Sequence, residues 1–269
     1  MKNYQDKFSL KSKTCFVLGG SGLLGAETTK AFLDFGAKVI CLDIDFERIQ
    51  PFKREFSDQL VLENFDCSVI ENVEENLNEL IEKYSCPDVY VNSSYPRTED
   101  WLNSGFESLN LQSLNKNIEI NLVSSSWLSR LVAESMRNHS IAGSIIHVGS
   151  IYGVVGQNLN IYEGTDMKEN VVYSIIKGGL ISLTRQMASF YGPYNIRVNC
   201  VSPGGIQGHI AGKKETQDKI FIDNYEKNTP MKRLGYPNEI GSSAVFLASE
   251  ASSYITGTNI LIDGGWTSI

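Results

Sequence analysis

Short apolar runs alternate with longer amphipathic stretches along most of the chain. Residues 14–18, 37–42, 59–65, 88–91, 143–150, 195–201 and 259–263 are apolar and bounded by polar or turn residues, so each predicts a strand. Between them the spacing predicts helices: from the glycines near 25 to Phe35, ended by Gly36, then 46–57, 69–84, 111–138, 171–191 and 237–247. Strands alternating with helices predict parallel βαβ units with right-handed crossovers, and ligands at the carboxyl ends of the strands. The helices over 111–138 and 171–191 are apolar over more than one face, which calls for a second packing partner. Three segments lack this pattern. Residues 1–12 read as a polar lead-in, 157–170 as a polar loop, and 211–228 as a charged, helix-prone stretch expected to be a mobile lid. No linker, internal repeat or low-complexity tract interrupts the chain.

Composition narrows the classes. The chain has 269 residues, 42% hydrophobic and 20% charged, the balance of a soluble globular protein. Its formal net charge is −7 with no basic block, which argues against nucleic acid or an anionic membrane as a partner. No signal-peptide pattern opens it, and no apolar run approaches the roughly 18 residues that suggest a membrane span. Cys15, Cys41, Cys67, Cys86 and Cys200 show no metal spacing and read as reduced core residues. A cytoplasmic protein without a metal is the expectation. His139, His147 and His209 leave little for a histidine-dependent triad.

The chemistry-bearing residues fall at strand ends and on one helix. Gly19-Gly20-Ser21-Gly22-Leu23-Leu24-Gly25 joins the first strand to a helix. Small residues there let backbone amides approach a pyrophosphate at the helix N-terminus. The other reading is a tight turn that needs glycine for conformation alone. Asp43 closes the second strand, where a carboxylate binds an adenosine ribose and repels a 2′-phosphate. No basic residue follows it closely, so NAD is expected over NADP; the bland alternative is a helix cap. Asp66, ending the third strand, could reach an adenine edge or cap a helix. Asn121 sits among apolar neighbours like a satisfied core amide, and Ser150 ends the fifth strand. Tyr173 and Lys177 are one helical turn apart. An ammonium beside a phenol favours the phenolate, and so makes tyrosine a neutral-pH proton donor. The long loop before Tyr173 offers Asn158, Asn160, Tyr162, Glu163, Thr165 and Asp166, a wall suited to a sugar, unless it packs on a neighbouring subunit. Arg97 adds a cation that could meet a phosphate or carboxylate.

Taken in order, the glycine turn, Asp43, Asp66, Asn92, Asn121, Ser150, Tyr173 with Lys177, Arg197-Val198-Asn199, Pro203-Gly204, Ile255-Thr256-Gly257 and Asp263-Gly264-Gly265 resemble the short-chain dehydrogenase/reductase family over nearly the whole chain. Val148 to Gly153, Tyr95-Pro96-Arg97 and Ile161 to Thr165 look most like a bacterial subgroup associated with flagellin modification and surface-sugar biosynthesis. The resemblance implies an α/β, single-domain Rossmann fold over 1–269, with a doubly wound seven-stranded parallel sheet. It implies Tyr173 as acid or base, Ser150 on the substrate oxygen, Lys177 lowering the tyrosine pKa and holding a ribose, and Asn121 holding a relay water. The cofactor set it implies is Gly19, Ser21, Gly22, Leu23, Leu24, Gly25, Asp43, Asp66, Cys67, Asn92, Ser93, Tyr173, Lys177, Pro203, Gly204 and Ile206. Arg97, Tyr152 and Tyr162 are the substrate candidates. Relatives pair the two apolar helices between subunits, so a homodimer or homotetramer is expected, the tetramer favoured. The chain departs from the family pattern in several places. Leu18 stands for a threonine, Tyr95 for a glycine and Gly208 for a threonine. The glycine spacing looks like the extended branch, and the Ser150–Tyr173 segment is longer than usual. The expected function is hydride transfer between a hydroxyl and a carbonyl of a sugar or sugar-derived small molecule. An NAD-dependent epimerase or dehydratase, and a non-catalytic NAD-binding regulator, stay open as alternatives.

Overall fold

Alternate residues of β1 (Thr14–Leu18) point to opposite faces, and each face has its own core. Cys15 and Val17 join one, Phe16 and Leu18 the other. A strand buried on both faces is what a parallel sheet layered between helices requires. The computed structural model describes residues 3–208 and 217–269. After β1 come α1 (Leu23–Asp34), β2 (Lys38–Asp43), α2 (Gln50–Glu55), β3 (Leu60–Asn64), α3 (Val73–Tyr84) and β4 (Val89–Asn92). Then follow α4 (Leu111–Ile118), α5 (Ser124–Asn138), β5 (Ser144–Val148), α6 (Val171–Tyr191) and β6 (Arg197–Pro203). The chain ends with α7 (Lys219–Asn228), α8 (Pro237–Ala248) and β7 (Asn259–Ile262).

The seven strands form one parallel sheet in the order β3-β2-β1-β4-β5-β6-β7. Phe32 and Leu33 of α1 and Ile240, Ala244 and Val245 of α8 cover one face. Leu77 of α3, Leu128 and Val132 of α5, and Met187 of α6 cover the other. The chain reverses direction across the sheet between β1 and β4, which opens a crevice at their carboxyl ends. All five cysteines are buried and free. Among the described residues no helix is long and apolar enough to cross a membrane.

Several boundaries differ from the pattern reading. The helix expected over 111–138 is α4, a π-helical turn at Glu119–Val123, and α5. The helix expected over 46–57 is only α2. Asp45 Oδ1 takes the Glu47 amide, and Pro51 sits in the first turn. The lead-in is not merely polar: Leu10 is fully buried and Phe8 packs on Phe246. Of the expected lid, 211–216 lies outside the described residues, as does His209. Its remainder, α7, carries an apolar face after all, burying Phe221 and Tyr225 against Trp266. On the outer surface, Val123, Trp127 and Phe190 line an apolar groove of about 660 Å³ between α5 and α6, with Phe190 53% exposed.

Candidate active site

The crevice is a cleft of about 580 Å³ across the carboxyl ends of β1, β2, β4, β5 and β6. Its first wall is the glycine turn. Gly19 has φ +70°, and a Cβ there would stand 2.6 Å from the Ser94 amide nitrogen. A Cβ on Gly25 would stand 1.9 Å from the Gly19 carbonyl oxygen, so α1 starts hard against the turn. Gly22 is the N-cap of α1 and offers no capping side chain, which leaves the first-turn amides directed at the cleft. Ser93 Oγ donates to the Leu18 and Gly19 carbonyls at 2.8 and 3.2 Å. It braces the turn that carries Leu18 in place of threonine. Asp43 Oδ2 accepts from the Ser21 amide at 2.9 Å and Oδ1 from Ile44 at 2.8 Å, which fixes the carboxylate at the rim. A backbone cradle that admits no Cβ, a helix N-terminus and a rim carboxylate fit a dinucleotide. Gly19, Gly22, Leu23, Leu24 and Asp43 would hold it there, with Asp66, Cys67, Pro203, Gly204 and Ile206 along the same cleft.

Not every expected cofactor residue faces the cleft. Ser21 and Gly25 support the turn from behind. Asn92 Oδ1 accepts from the Ser94 amide and hydroxyl, and its buried Nδ2 has no partner among the described residues. Asp66 lines the cleft and also caps: Oδ1 takes the Ser68 amide and hydroxyl. Gly208, at the position expected to hold threonine, has φ +151°, and a Cβ there would meet the Leu23 side chain at 2.7 Å.

At the other end of the cleft the site is aromatic. Asn170 caps α6, accepting from the Tyr173 amide at 2.8 Å, and its Nδ2 donates to the Trp101 carbonyl at 3.1 Å. Tyr95 meets Trp101 and Tyr173 edge-on, at ring separations of 5.1 and 5.2 Å. Lys177 donates to the Val148 carbonyl at 2.7 Å and lies 4.9 Å from the Tyr95 ring and 5.5 Å from the Tyr173 ring. Burial pushes its ammonium down to about 8. Burial also holds the Tyr173 phenol above its ordinary value, with the neighbouring Ser150 hydroxyl and the charge of Arg97 pulling the other way. Asn121 is buried, donates to the Pro96 and Asn117 carbonyls, and leaves Oδ1 without a partner among the described residues.

Of the three substrate candidates only Arg97 lines the cleft. Tyr152 stands edge-on behind Tyr173 at 6.5 Å. Tyr162 donates to Gln157 at 3.0 Å and stacks on Phe221, so it anchors the long loop instead. Gln157 also donates to the Asn170 carbonyl and Ser174, tying the loop's two ends together. Asn158 and Thr165 serve turns within the loop. Of the polar wall read from sequence, Asn158, Tyr162 and Thr165 are engaged in holding the loop's own fold, while the side chains of Asn160, Glu163 and Asp166 make no hydrogen bond among the described residues. Tyr95, Trp101 and Asn170 were missing from the candidate set. Tyr95 could have been found, because it replaces a small residue right after a site strand; Trp101 and Asn170 give no such signal.

A dinucleotide cradle facing a Tyr–Lys–Ser cluster defines a nicotinamide-dependent oxidoreductase site. A family model described as enoyl-(acyl carrier protein) reductase matches residues 21–267. The chain is 30% identical to post-translational flagellin modification protein A of Campylobacter coli, over 96% of this chain and 99% of that one. It is 29% identical to the NAD-dependent glycerol dehydrogenase of Listeria innocua, over 99% and 98%. A short-chain dehydrogenase from Leptospira borgpetersenii with bound NAD+ superposes with a TM-score of 0.84 at 32% identity, covering 99% of this chain and 96% of that one. The chain belongs to the short-chain dehydrogenase/reductase family, whose members bind NAD(P) and act on small molecules.

Proposed function

We propose that this enzyme uses NAD to interconvert a hydroxyl and a carbonyl on a sugar-derived or polyol substrate in surface-glycan biosynthesis. The observation that carries the reading is that Tyr173 and Lys177 line a cleft whose other end is a glycine cradle closed by Asp43, with Ser150 next to the lining Gly149. NAD bound in that cradle supplies or accepts the hydride. Tyr173 passes the proton to the reacting oxygen, and Ser150 holds that oxygen through its hydroxyl. Lys177 keeps a cation beside the phenol, and a water on the Oδ1 of Asn121 would relay protons. Asp43 favours NAD over NADP because a 2′-phosphate would meet its carboxylate. The NAD-dependent glycerol dehydrogenase supports the polyol class, and the flagellin modification protein supports the glycan setting. The exposed groove between α5 and α6 supports a homodimer or homotetramer that buries Trp127 and Phe190. The test is NADH absorbance against a panel of polyols, aldoses and ketoses, with sedimentation for mass. No turnover on any member would sink the substrate reading, and a monomer at micromolar concentration would sink the assembly.

A further inference from the structure

Charge is divided along the cleft. Asp43 and Asp66 line one end, Arg97 and Lys177 the other. Lys177 is buried and directed at the Val148 carbonyl, so Arg97 is the exposed cation beside the reacting tyrosine. Among the described residues Arg97 forms no ion pair. Its guanidinium lies 5.9 Å from the centroid of the Trp101 ring. A cation–π contact of this kind steadies the guanidinium beside the indole and consumes none of its N–H donors. Trp101 is itself buried, and its carbonyl is held by Asn170, the residue that caps the Tyr173 helix. One amide side chain therefore links the seat of the cation to the first turn carrying the phenol. The field of Arg97 reaches that phenol. A guanidinium edge at this place matches an oxyanion in two parallel hydrogen bonds.

Resting on the dehydrogenase reading of the site, we infer that the substrate carries an anionic group, a carboxylate or phosphate monoester, held by Arg97 on the face of Trp101 while its hydroxyl or carbonyl meets Tyr173. The carboxylate and the phosphate share this chemistry, and the experiment separates them.

Initial rates are measured on matched triples: a neutral aldose or polyol, its phosphate ester and its aldonate. Wild type, Arg97→Gln and Arg97→Lys are compared. Wild type is expected to prefer an anionic member, and the preferred one identifies the source. Arg97→Gln should shrink the anionic-to-neutral ratio of kcat/KM by about 10- to 100-fold, mostly through KM, with partial recovery in Arg97→Lys. Preference of wild type for the neutral member in every triple, or an equal loss on all three members, overturns the proposal. A second arm does not need turnover. Calorimetric titration of the NADH-saturated protein with the same anions should show binding that Arg97→Gln weakens by the same factor. No binding by wild type, or binding that survives the substitution, overturns the proposal. Arg97-dependent binding without turnover on any triple leaves the anion site standing and fails the dehydrogenase reading instead.

Discussion

At the glycine-turn end, the cleft presents backbone and carboxylates. At the reacting end it presents aromatic rings and cations. The first end is built from local sequence. Residues 19–25 make the turn, and Asp43 reaches across to the Ser21 amide. The second is assembled from Tyr95, Trp101, Ser150, Asn170, Tyr173 and Lys177, which the fold brings together from separate segments. Polar backbone needs no particular side chain to bind a phosphate, whereas a proton donor works only in one position. The two ends should therefore fail differently when changed.

The largest difference is expected from Tyr173→Phe. Turnover should fall about 10²- to 10⁴-fold, while NADH affinity by fluorescence titration stays near wild type. Loss of NADH binding in step with turnover would show that the two ends are not separable. Lys177 gives the next effect, in stability. Burial depresses its folded value to about 8, below the roughly 10.4 of an unfolded lysine. Below pH 8 the fold carries the full cost of the buried charge. Between those values the unfolded chain binds the extra proton, so stability rises with pH. The gain is on the order of 3 kcal/mol at most, and because the buried thiols lose stability over the same range it is read as a difference: the unfolding free energy of wild type minus that of Lys177→Met should rise by that amount from pH 8 to pH 10.

At the carboxylate end, Asp43→Ala should shift the NADH-to-NADPH ratio of kcat/KM toward NADPH by about tenfold or more. A wild type that already prefers NADPH would reverse the reading of the rim. The smallest effect is expected from Asn170→Ala. Losing the α6 cap should cost about 1 kcal/mol in unfolding free energy. Because Trp101 loses its tether too, KM for substrate should rise more than KM for NADH.

The same contrast explains what was legible in the sequence. The seven parallel strands, the glycine cradle, Asp43 and the Tyr173–Lys177 pair follow from periodicity, from small residues and from family spacing. Ser150 and Asn121 followed from their place in that series. Trp101 and Asn170 did not, because nothing along the chain signals that a loop tryptophan will seat an arginine. The long loop was legible only in part. Its polar side chains suggested a substrate wall, yet Gln157, Asn158, Tyr162 and Thr165 satisfy the loop's own turns and ends. A polar loop must first pair its own backbone groups, and the sequence does not say how many side chains that takes. Helix α7 shows the reverse case: two aromatics in a charged stretch were enough to anchor it.

The brace from Ser93 to the Leu18 carbonyl joins residues 75 positions apart. The glycine turn is synthesised well before Ser93, and its support arrives only when β4 pairs with β1. Contacts of such separation form late, after loop-closure entropy has been met. A nascent chain therefore carries the recognition motif long before it can use it. The nucleotide can stabilise the finished sheet, but it cannot template the first half of it.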